Sequence, residues 1–142
     1  MDFIYPAKIE EDEDGFFTVS YRDIPFALTD GKTYEEALEE AVDCLGEAIA
    51  SCIVDNEELR LPSPASDDEV LVTPPALIAA KAALYMASIE AGLNKTALAK
   101  RIHVSEAVGR RLLNPRYQSK IVNIEKAMLA MGKRMIIGST SI

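Results

Sequence analysis

The first third of the chain alternates apolar and polar positions in a pattern that indicates β-strands. Phe3, Tyr5, Ala7 and Ile9 alternate with polar or small neighbours, and residues 16–21 are rich in aromatic and β-branched types, so both segments are predicted strands. The acidic run at residues 11–15 ends in Gly15 and is typical of a turn, which predicts a hairpin. A short third strand is expected over residues 26–29.

Helical spacing replaces this alternation after Thr33, which forms a predicted capping box with Glu36. The helix should run to about Cys52, because its apolar residues recur at intervals of three and four: Tyr34, Ala37, Leu38, Ala41, Leu45, Ala48, Ile49 and Cys52. A loop with Pro62 and Pro64 follows, and residues 69–73 can add a last strand. The order strand, strand, strand, helix, strand predicts a small α+β layer. Cys44 and Cys52 are eight positions apart on this helix, roughly 12 Å, which forbids a disulfide between them and favours buried thiols.

Beyond Pro74-Pro75 the chain becomes Ala-rich and helical, with Gly92 as a terminator. Asn94 can cap a short helix over residues 95–102, and a tight turn at His103-Val104 separates it from a second helix over residues 105–113. The predicted inward positions are Leu98, Ile102, Val104, Val108 and Leu112, and Ala99 is small where the two helices must cross.

This segment is similar to the helix-turn-helix of phage-type repressors over about 20 residues. His103 stands where that family commonly has Gly, so we interpret the chain's single His as a turn residue with positive φ rather than a ligand or catalytic base. Capping by Ser105 would direct Glu106, Ala107 and Arg110 towards base edges in the major groove, and Gly109 would permit close backbone approach. The remaining candidate DNA contacts are Thr96 and, for phosphates, Arg111, Arg116, Tyr117 and Lys120.

The end of the chain predicts one more helix and a strand. Asn123 can cap a helix with apolar positions at Ile124, Ala127, Met128 and Met131, which Gly132 ends. Met135, Ile136 and Ile137 form a short apolar strand whose edge a second copy could pair with. We therefore predict a homodimer or higher homo-oligomer, which would suit recognition of two half-sites of double-stranded operator DNA.

The net charge of −8 hides a sharp division of charge. Residues 1–75 hold 20 Asp and Glu against 4 Lys and Arg, whereas residues 76–142 hold 3 against 11, so the two parts carry −16 and +8. Such asymmetry indicates separate electrostatic tasks, with nucleic acid the usual partner of a basic part and a basic macromolecule a plausible partner of an acidic one. We place the domain boundary accordingly, at residues 1–73 and 76–142.

Other function classes are weighed against these patterns. No apolar run or N-terminal signal pattern is present, which predicts a cytoplasmic protein with no membrane partner. Gly15 follows Asp12 too early for an EF-hand loop, and the carboxylates lie mostly on a turn and an outer helix face, so we predict no metal, cofactor or catalytic residue. Two alternatives stay open: a stand-alone transcription regulator whose acidic domain senses a small ligand, and a metal-dependent nuclease.

Both halves together resemble the HicB antitoxins of bacterial toxin–antitoxin pairs. The resemblance rests on Phe3-Ile4-Tyr5-Pro6-Ala7-Lys8-Ile9, Gly15-Phe16-Phe17-Thr18-Val19, Asp23-Ile24-Pro25 and residues 29–38, and on the helix-turn-helix that one branch of the family carries. Pro25-Phe26-Ala27 departs from the "Pro-Gly-Cys" usual in that loop. The resemblance implies a truncated RNase H-like fold without catalytic acids, which binds the toxin HicA, a small basic mRNA-cleaving ribonuclease, and a protein that represses its own operon. The candidate toxin-binding residues are the helix carboxylates Glu35, Glu36, Glu39, Glu40, Asp43 and Glu47.

Overall fold

A computed structural model describes residues 2–142. The chain divides between Ala79 and Ala80 into two compact units. Residues 2–79 hold all the charges that give −16 and are termed the acidic unit, and residues 80–142 hold those that give +8 and are termed the basic unit. The boundary lies inside a helix, a few residues after the prolines at which the charge changes sign.

The acidic unit contains a four-stranded antiparallel sheet. Its strands are β1 (Tyr5–Glu11), β2 (Phe17–Ser20), β3 (Leu28–Gly31) and β4 (Val70–Val72), in the spatial order β3-β2-β1-β4. In register, Ile9 lies opposite Val19, and Tyr5 lies opposite Val72. The predicted hairpin, the third strand and the late fourth strand are confirmed, as is the α+β class.

The acidic run between β1 and β2 is a turn. One carboxylate oxygen of Asp12, Oδ1, accepts hydrogen bonds from the backbone N–H groups of Asp14 and Phe16, each at 2.9 Å. Gly15 has φ 82°, a left-handed conformation that favours glycine. The run therefore closes the hairpin through its first Asp and its Gly.

One long helix, α1 (Tyr34–Val54), packs on the sheet and makes its most extensive contacts with β3. The predicted capping box is present: Thr33 Oγ1 accepts from the Glu36 N–H at 3.1 Å, and Glu36 Oε2 accepts from the Lys32 N–H at 3.1 Å. The start of α1 lies close to Gly31, where an added Cβ would sit 2.4 Å from the Ala37 nitrogen. The buried helix residues include Ala37, Ala41, Leu45, Ile49 and Cys52, and both cysteines are free thiols.

A polar network joins the segment after β2 to the loop that leads into β4. Arg22 Nη2 lies 2.8 Å from Glu69 Oε1, and the same guanidinium donates to Ser63 Oγ and the Pro64 carbonyl. Asp23 accepts from the Ser63 N–H at 2.9 Å. The Arg22 guanidinium and the Ser66 backbone N–H lower the pKa of Glu69 to about 2. This network fixes the loop without a disulfide.

The basic unit is helical and has its predicted caps. It contains most of α2 (Ala76–Glu90), followed by α3 (Lys95–Arg101), α4 (Glu106–Leu113) and α5 (Ile121–Ala130). Asn94 Oδ1 accepts from the Ala97 N–H at 2.8 Å, and Ser105 Oγ accepts from the Val108 N–H at 3.2 Å. His103 has φ 58°, which confirms the turn conformation expected of it.

Three details of the sequence analysis are wrong. Asn123 caps nothing: α5 begins at Ile121 with Lys120 at the N-cap, so Asn123 lies inside the helix and its N–H bonds to the Lys120 carbonyl. Val104 and Val108 are 36% and 37% exposed rather than turned inward, because Gly109 occupies the contact with α3. Residues 135–137 form no strand within the described chain, because a strand needs a neighbouring strand for its hydrogen bonds and a single copy provides none there.

Candidate functional surfaces

The outer side of α1 is a continuous acidic surface, here termed the α1 acidic face. All six of its residues are exposed: Glu35, Glu36, Glu39, Glu40, Asp43 and Glu47. The helix contains no Lys or Arg between Tyr34 and Val54. The sequence analysis predicted this set, and the structure places it on one element with a common exposure.

The carboxylates of the α1 acidic face repel one another. Glu35 and Glu39, Glu36 and Glu40, Glu39 and Asp43, and Asp43 and Glu47 are each four positions apart, the spacing at which like charges destabilise a helix by about 0.2–0.5 kcal/mol per pair. Glu35 and Glu36 are compensated in part, since they lie in the first turn, where the helix dipole favours negative charge. Glu39, Glu40 and Asp43 form no ion pair with any described residue, so their charge does not serve the stability of this chain.

In the basic unit, α3 and α4 meet at a close crossing. A Cβ added at Gly109 would lie 2.8 Å from Ala99 Cβ and 3.2 Å from the Lys95 carbonyl oxygen. Gly109 therefore permits the close approach expected from the sequence, although its neighbour is the first helix of the pair. Leu98 and Leu112 are buried in the same unit.

Three exposed, predicted DNA-contact residues lie close together and are termed the α4 reading surface: Thr96 on α3, and Glu106 and Arg110 on α4. Arg110 Nη1 lies 3.4 Å from Glu106 Oε1, which is also 3.4 Å from Thr96 Oγ1. The Arg110 and Glu106 side chains are 56% and 60% exposed, so water screens their ion pair and it is weak. Ala107 is half-buried beside them, and Ser105 acts as the cap of α4.

The predicted phosphate contacts lie in the last turn of α4 and in the segment after it, and all are exposed. The Arg111 guanidinium lies 5.5 Å from the centre of the Tyr117 ring, within the range of a cation–π contact. The Arg116 N–H donates to Asn114 Oδ1 at 3.0 Å, which closes the turn after the helix. Lys120 stands at the N-cap of α5. The structure thus pairs Arg111 with Tyr117 and holds the backbone of Arg116 in a turn.

A residue that the sequence analysis missed supports this segment from inside. Lys81, on α2, is 1% exposed, and its ammonium donates to the carbonyls of Arg111 at 2.8 Å and Leu112 at 2.9 Å and to Ser119 Oγ at 2.7 Å. Burial lowers the pKa of Lys81 to about 8. The available signal was a lone Lys with two Ala residues on each side in a mostly apolar helix, since an isolated charge on a buried helix requires partners.

An exposed apolar surface lies at the end of the basic unit. Ile136 and Ile137 are 90% and 82% exposed. Further exposed apolar residues lie on α5, where Ile121, Val122 and Leu129 are all nearly half exposed, and they were not predicted from the sequence. Their separation of seven and eight positions places them on one side of that helix, and this spacing was the available signal.

Residues 2–142 offer neither a cluster of metal ligands nor a single helix suited to crossing a membrane. No group of three or more His, Cys, Asp or Glu side chains in this range could hold a metal ion. No single helix in it is long and apolar enough to span a membrane, although α2 and α3 reach that length and composition together as a pair bent by 93°.

Fold and surfaces define a class of protein: a two-unit chain in which an acidic α+β unit with an exposed carboxylate face precedes a basic unit built on a helix-turn-helix. A family model for HicB-like antitoxins of bacterial toxin–antitoxin systems matches residues 4–83. The chain belongs to this family, as the motif series of the sequence indicated.

Relatives extend the match over both units. The chain is 37% identical to antitoxin HicB 1 of Photorhabdus laumondii over 133 residues, which is 94% of this chain and 84% of the relative. It is 34% identical to antitoxin HicB of Escherichia coli K12 over 131 residues, 92% of this chain and 95% of the relative. Antitoxin HicB of Pseudomonas fluorescens is 34% identical over 137 residues, 95% and 92% of the two chains. The chain is thus an antitoxin, whose partner in such a pair is a toxin.

Proposed function

We propose that this antitoxin binds and neutralises a HicA-type toxin, a small basic mRNA-cleaving protein, through its residues 1–73. The observation that carries the proposal is the α1 acidic face, whose central carboxylates repel each other and form no ion pair within the described chain. A basic partner would remove that repulsion and gain the electrostatic complementarity that speeds association and selects partners.

Neutralisation of this kind needs no chemistry from the antitoxin. A toxin that cleaves mRNA binds the RNA phosphate backbone through cationic side chains. Helix α1, with six carboxylates in four turns, offers a row of anions to that cationic surface of the toxin. Occupation of that surface excludes RNA. The inhibitory effect would then depend on the affinity of the complex and weaken with ionic strength.

We further propose that residues 76–142 bind double-stranded operator DNA and repress the antitoxin's own operon. The α4 reading surface supplies Arg110, whose guanidinium is suited to a bidentate contact with guanine, and Glu106, which can accept from cytosine. The exposed ion pair between Arg110 and Glu106 is weak and would rearrange at little cost when DNA binds. Arg111, Arg116, Tyr117 and Lys120 would contact phosphates and fix the register.

Dimerisation completes this proposal, because an operator with two half-sites requires two copies of α4. Met135, Ile136 and Ile137 would pair with the same residues of a second copy and gain the hydrogen bonds that they lack in one chain. The exposed apolar side of α5 supports the same interface, since burying Ile121, Val122 and Leu129 would add a hydrophobic contribution.

The toxin proposal is tested by co-expression with the product of the adjacent reading frame. We expect a small basic protein that arrests growth alone, is relieved by this chain and co-purifies with it. The complex should dissociate more readily at high salt. Absence of a complex, or arrest that this chain leaves unrelieved, would refute it.

The DNA proposal is tested separately, with a duplex of the region upstream of the gene and an unrelated duplex of equal length. We expect preferential binding of the upstream duplex and an affinity that falls with salt. The dimer is tested by light scattering, which measures the mass of the wild-type chain and of Ile136→Asp, a variant that places a charge in the proposed interface. A wild-type chain with the mass of a monomer would contradict the proposed dimer.

A further inference from the structure

The buried end of Lys81 shows a close match between donors and acceptors. A protonated lysine has three N–H donors, and Lys81 Nζ has three acceptors within 2.9 Å: the carbonyls of Arg111 and Leu112 and the hydroxyl of Ser119. The hydroxyl in turn lies 3.5 Å from the Arg111 carbonyl, to which it donates. The centre of the Tyr117 ring is 6.0 Å from the same ammonium.

The two carbonyls belong to the last turn of α4. Carbonyls at a helix C-terminus lack an N–H partner within the helix, and they carry the negative end of its dipole. The Arg111 carbonyl also accepts from the N–H of Asn114, the residue after the helix, at 3.2 Å. A cation placed there satisfies them and is attracted by the dipole. Lys81 therefore joins the end of α4 to α2 by a buried, charge-assisted contact, which is stronger and more directional than apolar packing.

The third acceptor extends this connection to the next segment. Ser119 stands directly before Lys120, and Tyr117 lies beside both Lys81 and Arg111. One ammonium thus contacts the end of the recognition helix and the loop that carries the proposed phosphate contacts.

We propose that Lys81 is a positioning residue for DNA recognition, which fixes the end of α4 and the residue 114–120 loop relative to each other so that base and phosphate contacts form in one register. The inference rests on the proposed DNA-binding function. It assigns Lys81 no contact with DNA, because the side chain is buried. Its effect is on selectivity: loss of the tether should weaken contacts that need a fixed register more than contacts that only need positive charge.

The experiment compares Lys81→Met with Lys126→Met in the full chain. Both variants remove one positive charge, but Lys126 is exposed on α5. Affinity is measured for the upstream duplex and for an unrelated duplex, at one salt concentration and at a temperature where thermal unfolding shows each variant folded. We expect Lys81→Met to reduce the ratio of the two affinities about tenfold, the size of one partly lost base contact. Lys126→Met should lower both affinities slightly and leave the ratio unchanged.

A ratio that Lys81→Met leaves unchanged overturns the proposal, even if both affinities fall, because loss of folded protein would reduce them together. If Lys81→Met does not fold, Ser119→Ala decides, since it removes one half-buried acceptor: a smaller fall in the ratio supports the proposal and no fall refutes it. If the wild-type chain prefers no upstream duplex, the proposed function fails. The proposal then fails with it, and a shift of the carbonyl carbon resonances of Arg111 and Leu112 between wild type and Lys81→Met would show only that Lys81 bonds to the end of α4.

Discussion

Helices α1 and α4 hold their charges in opposite ways. In α1 the charges have one sign, repel at every fourth position and, in the centre of the helix, pair with nothing in the described chain. In α4 the cations are paired: Arg110 lies against Glu106, Arg111 against Tyr117, and the helix end against the buried Lys81. The central carboxylates of α1 therefore lack a positive charge beside them until a partner binds, whereas the cations of α4 already contact other residues of their own chain.

This difference separates affinity from selectivity. A face whose charges all have one sign attracts any cationic surface and gains affinity from the number of charges. A buried contact such as that of Lys81 limits the orientations open to the end of α4, which is what discrimination between bases requires. The acidic unit is therefore expected to tolerate substitutions that keep its charge, and the basic unit to be sensitive to changes that keep charge but alter position.

The largest effect is expected from reversing charge on the α1 acidic face. Glu39→Lys with Asp43→Lys should reduce affinity for the toxin at least about a hundredfold, because like charges opposed across an interface cost several kcal/mol. Stability should be unchanged or slightly higher, since each new Lys lies four positions from Glu35 or Glu47. Calorimetric titration and chemical denaturation measure the two quantities.

The matched control is Glu11→Lys with Glu13→Lys in the β1–β2 hairpin, which makes the same change in net charge at exposed positions. It should reduce affinity far less. Equal losses in the two pairs would mean that the toxin senses the net charge of the unit and not the α1 acidic face.

The second effect compares the two glycines at which elements meet. Gly31→Ala should cost about 3 kcal/mol of unfolding free energy, because its Cβ would lie 2.4 and 2.8 Å from backbone atoms of Ala37, which cannot move aside. Gly109→Ala should cost about 1 kcal/mol: α3 must shift because the Ala99 methyl at 2.8 Å is fixed to its backbone, but the higher helix propensity of Ala offsets part of that cost.

Chemical denaturation of each variant checks this order. The control is Gly138→Ala, where nothing lies within 4 Å of the added Cβ and no change is expected. The reverse order would show that the crossing of α3 and α4 is the more rigid of the two contacts.

The third effect concerns the α4 reading surface. Arg110→Ala should weaken binding of the upstream duplex by about 1–3 kcal/mol and relax base choice at one position. Lys120→Ala should weaken all sequences alike and reduce the slope of log affinity against log salt by about 1. Titrations at several salt concentrations separate the two, and identical behaviour of both variants would contradict the division into base and phosphate contacts.

The features predicted correctly from the sequence are local. The caps at Thr33, Asn94 and Ser105 and the turn at His103 each depend on a few neighbouring residues, and the small Ala99 lies at the helix crossing as predicted. The apolar spacing of α1 indicated its buried side because a helix presents the same face every three or four positions. The α1 acidic face follows directly from that prediction.

The features that were missed or wrongly predicted depend on distant residues or on another chain, except at Asn123. Lys81 bonds to carbonyls some 30 positions further along the chain, and a backbone acceptor leaves no trace in the sequence. Asn123 has a favourable residue type for a cap, but the helix already begins at Ile121 with no side-chain cap at Lys120. The strand predicted at residues 135–137 is absent from the single chain, because its hydrogen-bonding partner would be another chain.

The smallest expected effect is a loss of stability at low pH, which should be confined to the acidic unit. The pKa of Glu69 is about 2 in the folded chain, below its usual 4.5, because Arg22 and the Ser66 N–H stabilise the carboxylate. The folded state then holds fewer protons than the unfolded state between these values, so the contribution of Glu69 is complete above about pH 4.5 and is lost as the pH falls towards 2. The effect is small because the Arg22 side chain is 42% exposed and water screens the pair. The side-chain carboxyl carbon resonance of Glu69 measures its titration directly. Arg22→Gln should raise the midpoint of this titration. Arg60→Gln, which removes the same charge from an exposed position, should leave the midpoint unchanged. A Glu69 midpoint near 4.5 in the wild-type chain would show that the pair does not hold the β4 loop, and that this charge is as little compensated as those of Glu39, Glu40 and Asp43 at the centre of α1.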